Sequence, residues 1–180
     1  MSIWFLDDLS DWRDVRSLSV GSDSLARTVA RVAIESDTGR VRIDIPAADD
    51  CTCFQDVRLM GSHAYIGYGS RLFVVNLALL EFVEYDMDGY FCSLYSAHDI
   101  ESSGDVFTVL ASSASELLAF DSSGGLIWKA SGLGIDGVLV HGVSGNMICG
   151  DGEWDPPGGW QPFAVLQTDG EIIRNGSAIG

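Results

Sequence analysis

The stretch Leu72-Phe73-Val74-Val75-Asn76 recurs in outline at Leu117-Leu118-Ala119-Phe120-Asp121 and at Phe163-Ala164-Val165-Leu166-Gln167. The first residues of the three stretches lie 45 and 46 positions apart (72 to 117, then 117 to 163). Apolar runs of this length are typical of buried strands, and a period of this size is typical of propeller blades. The repeat therefore predicts a chain assembled from similar β units.

Around each stretch the sequence predicts four short strands joined by turn signals, with the quoted stretch in third place. Frequent glycine, at 21 residues against four prolines, agrees with many turns and short strands. The predicted strands are Val57–Met60, Ala64–Tyr68, Leu72–Asn76 and Leu80–Tyr85; Phe91–Ala97, Asp105–Ala111, Glu116–Asp121 and Leu126–Ala130; and Val138–Val143, Asn146–Gly150, Pro162–Thr168 and Glu171–Arg174.

The N-terminal part of the chain predicts a partial fourth unit. Thr28–Ile34 and Val41–Ile45 form a predicted outer hairpin around the turn Asp37-Thr38-Gly39-Arg40. Residues 1–23 are predicted to be an N-terminal segment that precedes the repeats and contains a short amphipathic helix over Asp8–Leu18. We therefore expect a single domain, 1–180, that is mainly β and built over 24–180 from repeated four-stranded antiparallel meanders. A small propeller-like or open propeller is favoured over a β-sandwich.

Charge is distributed unevenly along the chain, whose formal net charge is −16. Residues 72–180 contain fifteen acids against Lys129 and Arg174, which gives −13, whereas residues 1–71 contain eleven acids and eight arginines, which gives −3. Such a surface repels nucleic acids and anionic membranes and attracts basic protein surfaces. We expect a protein partner with a basic surface, and neither nucleic acid nor membrane.

One segment combines acids, prolines and tryptophans: Gly150-Asp151-Gly152-Glu153-Trp154-Asp155-Pro156-Pro157-Gly158-Gly159-Trp160. Its prolines and glycines predict a long projecting loop over Asp151–Trp160. Tryptophans beside preorganised carboxylates are typical of protein-binding anchors, although both rings are equally compatible with packing over the end of a blade. A shorter acidic fragment is Asp86-Met87-Asp88-Gly89. The predicted partner-binding residues are Asp86, Asp88, Asp151, Glu153, Trp154, Asp155 and Trp160.

The sequence is also compatible with two other classes of function. Asp151, Glu153 and Asp155 alternate, and carboxylates so spaced can converge on calcium when the backbone loops around the ion, which would make the chain a calcium-stabilised ligand-binding propeller. Glu153 and Asp155 would be the carboxylate pair of a small hydrolase. Solvated turn acids explain both patterns more simply, so we expect no catalysis, no metal and no cofactor.

The cysteines and histidines give no stronger signal. Cys51 and Cys53 lie too close in sequence for ordinary disulfide geometry. A zinc site would have to combine them with other Cys or His residues that form no second close pair. The pair His98-Asp99 lacks an identifiable nucleophile. The other residues that could complete such a zinc site with Cys51 and Cys53 are Cys92, Cys149, His63, His98 and His141.

The sequence shows no targeting signal, so we expect the protein in the cytoplasm. No apolar run reaches the roughly 18 to 20 residues of a membrane span. The N-terminus lacks a basic region before its short apolar stretch and turns acidic at Asp7, which argues against a secretory signal peptide.

The run from His141 to Phe163, with the acidic tryptophan segment at its centre and the turn Thr168-Asp169-Gly170 after it, resembles a signature of small acidic bacterial proteins encoded beside polymorphic toxin genes. The resemblance covers about residues 137 to 174. It implies a cytoplasmic immunity protein of the type VI secretion kind that binds a cognate effector, often a nuclease, and occludes it. The stretch Leu117–Trp128 also resembles, in outline only, a blade of quinoprotein-like propellers.

Overall fold

The computed structural model describes residues 1–21, 27–37, 39–46, 54–155 and 157–173, which form fifteen β-strands and no helix. The predicted mainly β class is therefore confirmed. The strands of the first sheet are β1 Ser2–Phe5, β2 Arg16–Ser19, β3 Thr28–Ser36 and β4 Gly39–Pro46; those of the second are β5 Gln55–Met60, β6 His63–Tyr68, β7 Arg71–Asn76 and β8 Glu81–Asp86; those of the third are β9 Phe91–Ser96, β10 Val109–Ser113, β11 Glu116–Phe120 and β12 Leu126–Ser131; those of the fourth are β13 Val138–Ser144, β14 Met147–Trp154 and β15 Gly159–Leu166.

Four small sheets follow one another along the chain. The second and third are antiparallel meanders in the orders β5-β6-β7-β8 and β9-β10-β11-β12. The fourth has the order β13-β14-β15, and Glu171 and Ile173 continue it through backbone hydrogen bonds to Leu166 and Ala164 of 2.9 and 2.8 Å. The first has the order β1-β3-β4-β2, with β2 parallel to β4. The repeat is thus regular in the middle of the chain and modified at both ends.

Consecutive sheets pack face to face, as successive propeller blades do, through three hydrophobic clusters. The two middle sheets are apolar on both faces, because the two faces of each sheet contribute to different clusters. Along β7, Phe73 and Val75 face the first sheet, whereas Leu72 and Val74 face the third. Along β11, Leu118 and Phe120 face the second sheet, whereas Leu117 and Ala119 face the fourth. Strand alternation therefore serves two interfaces at once.

The repeated stretches that begin at Leu72, Leu117 and Phe163 hold equivalent places in their sheets. They form β7, β11 and β15, each the third strand of its sheet. Leu72, Val74, Leu118, Phe120 and Val165 are all buried. The predicted repeat and its core positions are confirmed, and the two-sheet sandwich is not the arrangement observed.

Glycine is required where β6 meets the third sheet. A Cβ built on Gly67 would lie 2.2 Å from the ring of Phe91, which is itself fully buried. The ring therefore occupies the volume that any larger side chain at position 67 would need.

The predicted helix over Asp8–Leu18 is wrong, since Arg16–Ser19 forms β2 and residues 10–14 form turns. In a helix the Trp12 carbonyl would accept the N–H of Arg16. Here Nη1 of Arg42 donates to that carbonyl at 2.6 Å instead. Trp12 is 7% exposed, packs edge-on against Trp4 with 5.5 Å between ring centroids, and has the Arg40 guanidinium 5.2 Å from its ring. This tertiary packing replaces the helix.

Candidate functional site

The predicted long loop over Asp151–Trp160 is wrong, because β14 runs to Trp154 and β15 begins at Gly159, and the described residues between them, 155, 157 and 158, lie in turns. The strand glycines have a packing reason. A Cβ at Gly152 would lie 1.7 Å from the Leu133 carbonyl oxygen, so the glycine admits a neighbouring backbone segment. Pro162 is tolerated because the described residues on the far side of β15, 171–173, bond to Ala164 and Leu166 and do not reach it, so its missing N–H interrupts no described ladder bond.

This hairpin sorts the predicted residues by face. Asp151 lies between Leu139 and Pro162 in the register, and Glu153 lies opposite Trp160. Residues directly opposite one another, or two apart on one strand, share a face. Asp151, Glu153 and Trp160 are therefore together on what we call the outward face of the fourth sheet, defined by Leu139, Asp151, Glu153, Trp160 and Pro162. Trp154 belongs to the opposite side and is half-buried.

The second predicted fragment is held by the third sheet. The backbone N–H of Asp88 donates to Oε2 of Glu116 at 3.0 Å, and the hydroxyl of Ser115 donates to Oδ2 of Asp88 at 2.7 Å. Asp86 ends β8 opposite Arg71. Both Asp86 and Asp88 are exposed. The fragment is a supported turn that presents two carboxylates to solvent.

A backbone hydrogen-bond ladder brings the two fragments to the same end of the molecule. The N–H of Ala114 donates to the Tyr90 carbonyl at 2.9 Å, that of Gly137 to the Ala114 carbonyl at 2.9 Å, and that of Glu153 to the Gly137 carbonyl at 2.8 Å. We call this the acidic end. It carries the carboxylates of Asp86, Asp88, Asp136, Glu153 and Asp155.

Apolar side chains are exposed among these acids. Phe54, Ile135 and Trp160 are 50%, 46% and 48% exposed, and Phe54 stacks on Tyr90 with 5.6 Å between ring centroids. The Tyr90 hydroxyl donates to both the backbone carbonyl and the carboxylate of Asp136. Burial, together with that carboxylate, raises the pKa of Tyr90. The acidic end thus combines aromatic surface with fixed negative charge, the composition of a steered protein contact.

Two bases near the acidic end, Arg71 and Lys129, are each paired with an acid. Nη1 of Arg71 lies 2.7 Å from Oε1 of Glu84, and the Lys129 ammonium contacts Oε1 of Glu116. Within each pair the two charges cancel. The pairs therefore leave the negative field of the exposed carboxylates largely intact.

One hydrogen-bonded pair at this site was missed by the sequence reasoning. Nε2 of His141 lies 2.7 Å from Oδ2 of Asp151, across β13 and β14. A register shift between Val140 and Gly142 places His141 in a bulge. The predicted strand ends Val143 and Asn146 would have placed His141 opposite position 148 of the hairpin partner. The observed turn and the bulge that bring it beside Asp151 leave no mark in the sequence.

The remaining candidates have structural roles or lie outside the described residues. Asp99 closes a local turn, since the Ser96 N–H donates to its carboxylate at 2.9 Å, and this bond is the main reason that the pKa of Asp99 is lowered. Burial raises the pKa of the Cys92 thiol. Within the described ranges, no three His, Cys, Asp or Glu side chains are grouped to hold a metal ion. Cys51 and Cys53 lie outside those ranges.

No family model matches the chain, and no curated protein matches it. Among the described residues, no helix has the length and apolar character needed to cross a bilayer.

Proposed function

We propose that this chain is an immunity-type inhibitor that binds a basic surface of a cognate antibacterial toxin domain, most simply a nuclease, and blocks it by occlusion. The observation that carries the proposal is the meeting of two acidic fragments, 60 or more residues apart in sequence, beside exposed aromatic rings at one end of the fold. A nuclease binds phosphates through basic residues, and an acidic protein surface is complementary to them.

Occlusion fits the way in which the site is built. The acidic end is formed by turns that backbone hydrogen bonds tie to one another and to three successive sheets. A surface held in this way is preorganised, so less conformational entropy is lost on association. Its exposed carboxylates should accelerate association, and its exposed rings should slow dissociation.

Co-expression with the toxin encoded beside this gene tests the proposal. Cells that produce the toxin should survive only when this protein is also present, and the two purified proteins should associate more slowly as salt is raised. Equal killing with and without the protein, or no association at low salt, would show that the immunity proposal is wrong.

A matched pair of charge variants tests the assignment of the surface. Changing Asp86, Asp88 and Glu153 to the corresponding amides should slow association with the toxin by roughly tenfold at low salt. The control changes three exposed acids at the opposite end, Glu81, Glu101 and Asp105, in the same way. Because both variants lose three charges, a global charge effect predicts equal slowing, whereas the proposed site predicts slowing chiefly in the first variant.

A further inference from the structure

A groove of about 540 Å³ lies on the fourth sheet beside the acidic end. Its lining includes His141, Cys149, Asp151, Pro162, Ala164 and Ile173. Strand positions 149 and 151 share the outward face with 162 and 164, and Ile173 is 38% exposed. The groove therefore has a largely apolar floor with one carboxylate on it.

The charge around this groove is one-sided. Residues 130–173 contain six acids and neither lysine nor arginine. His141 is the partner of Asp151, through a single Nε2 contact of 2.7 Å between side chains that are 57% and 34% exposed. Glu153 shares the outward face two residues away. An exposed imidazole that makes one hydrogen bond is a weak and replaceable partner for a carboxylate.

We propose that this groove is an arginine subsite, in which an arginine of the basic partner lies along Pro162, Ala164 and Ile173 and takes the Asp151 carboxylate from His141. The identity of the partner rests on the function proposed above, but the subsite itself does not. A guanidinium offers two parallel N–H donors to a carboxylate, against the single donor of the imidazole. Its flat, weakly hydrated faces suit an apolar wall, whereas the compact, strongly hydrated ammonium of lysine does not.

The test uses N-acetyl-arginine amide as the probe and N-acetyl-lysine amide as its control, both at 150 mM salt with the full chain. Nuclear magnetic resonance should show saturable shifts of the His141 ring and of the amides of residues 149–164 with arginine. Lysine should bind at least fivefold more weakly. The absence of saturable shifts there with arginine, or equal binding of the two probes, would overturn the proposal.

Two variants give opposite expected signs. Asp151→Asn should weaken arginine binding at least tenfold, whereas His141→Ala should strengthen it, because Asp151 loses its competitor. Asp155→Asn is the matched control, since Asp155 is exposed in the hairpin turn and does not line the groove. Weakening by Asp155→Asn equal to that by Asp151→Asn would reduce the binding to general charge attraction and reject the subsite.

Because no toxin is present in this assay, its outcome is separate from that of co-expression. Arginine binding without toxin protection would leave the subsite in place and remove the immunity function. Protection without arginine binding would do the reverse.

Discussion

Lys129, the single lysine of the chain, pairs with the carboxylate of Glu116, which is 3% exposed. The same carboxylate also accepts the backbone N–H of Asp88. One buried acid therefore links the third sheet to the turn that presents Asp86 and Asp88. The stability of the fold and the geometry of the acidic end depend on the same group.

Lys129→Met should destabilise the protein by about 3 kcal/mol, because it leaves a buried carboxylate without its counter-charge. Adding Glu116→Gln to Lys129→Met should recover part of the loss, since the amide needs no counter-charge. Urea unfolding measures both. If Lys129→Met costs no more than an exposed ion pair, about 0 to 1 kcal/mol, the pair has no structural role.

Gly67→Ala should destabilise the fold by about 1 to 3 kcal/mol, the usual range for overpacking, because its methyl group would enter the Phe91 ring. Gly142→Ala is the matched control: the nearest atom to its built Cβ is the Ile100 carbonyl oxygen at 3.8 Å, an ordinary contact. Thermal unfolding should separate the two variants, and equal melting temperatures would contradict the proposed steric conflict.

Stability should fall between about pH 10 and pH 12. Burial raises the pKa of Tyr65 from 10.0 to about 12, and the nearby Asp121 adds to the shift. Between these values the unfolded chain has lost the phenolic proton while the folded chain retains it, so rising pH favours unfolding by up to about 1.4 kcal/mol per pH unit. Tyr65→Phe should show a shallower decline in urea unfolding across this window, and an unchanged slope would argue against the assignment.

Trp160→Ala should weaken the toxin complex by about 2 kcal/mol or more in binding free energy, the scale of an interface hot spot. The loss should be seen chiefly as a shorter lifetime of the complex. Trp160 is exposed on the outward face beside Glu153, whereas Trp154 is half-buried on the other side. Trp160→Phe should retain most of the lifetime. Dissociation rates measured by surface plasmon resonance check this, and a larger effect of Trp154→Ala would move the anchor to the other ring.

Chelation should leave the melting temperature unchanged. The alternating acids Asp151 and Glu153 lie on an extended strand, about 6 to 7 Å apart along it, instead of on a loop that wraps an ion. A bound metal that prefers the folded state would add stability. A drop with EDTA that calcium or zinc restores would reveal a site, including one that uses Cys51 and Cys53.

The sequence predicted the strand repeat because apolar runs and turn signals are local properties. Leu72, Leu117 and Phe163 each lie in such a run, and each run became the third strand of its sheet. The helix over Asp8–Leu18 failed because the groups that bind Trp12 come from Arg40 and Arg42, about 30 residues away. Local amphipathicity contains no information about these partners.

The site was predictable in composition but not in shape. The acids and tryptophans of residues 151–160 are visible in the sequence, yet the prolines and the glycines after them indicated a long loop where β14 and β15 continue. Gly152 lies within β14, where it admits the backbone at Leu133. Tyr90, Ile135 and Asp136 join the acidic end only through hydrogen bonds between turns of different sheets. The bulge that pairs His141 with Asp151 is likewise a tertiary feature.

The contact between Gly67 and Phe91 helps to determine the register of β6. Every residue of β6 is buried, so polarity does not distinguish the correct alignment of this strand from one shifted by a residue. Volume does, because only a missing side chain at position 67 leaves room for the ring at 91. The register of β6 is therefore determined by side-chain volume and not by polarity. Related chains that enlarge position 67 should carry a compensating smaller residue at 91.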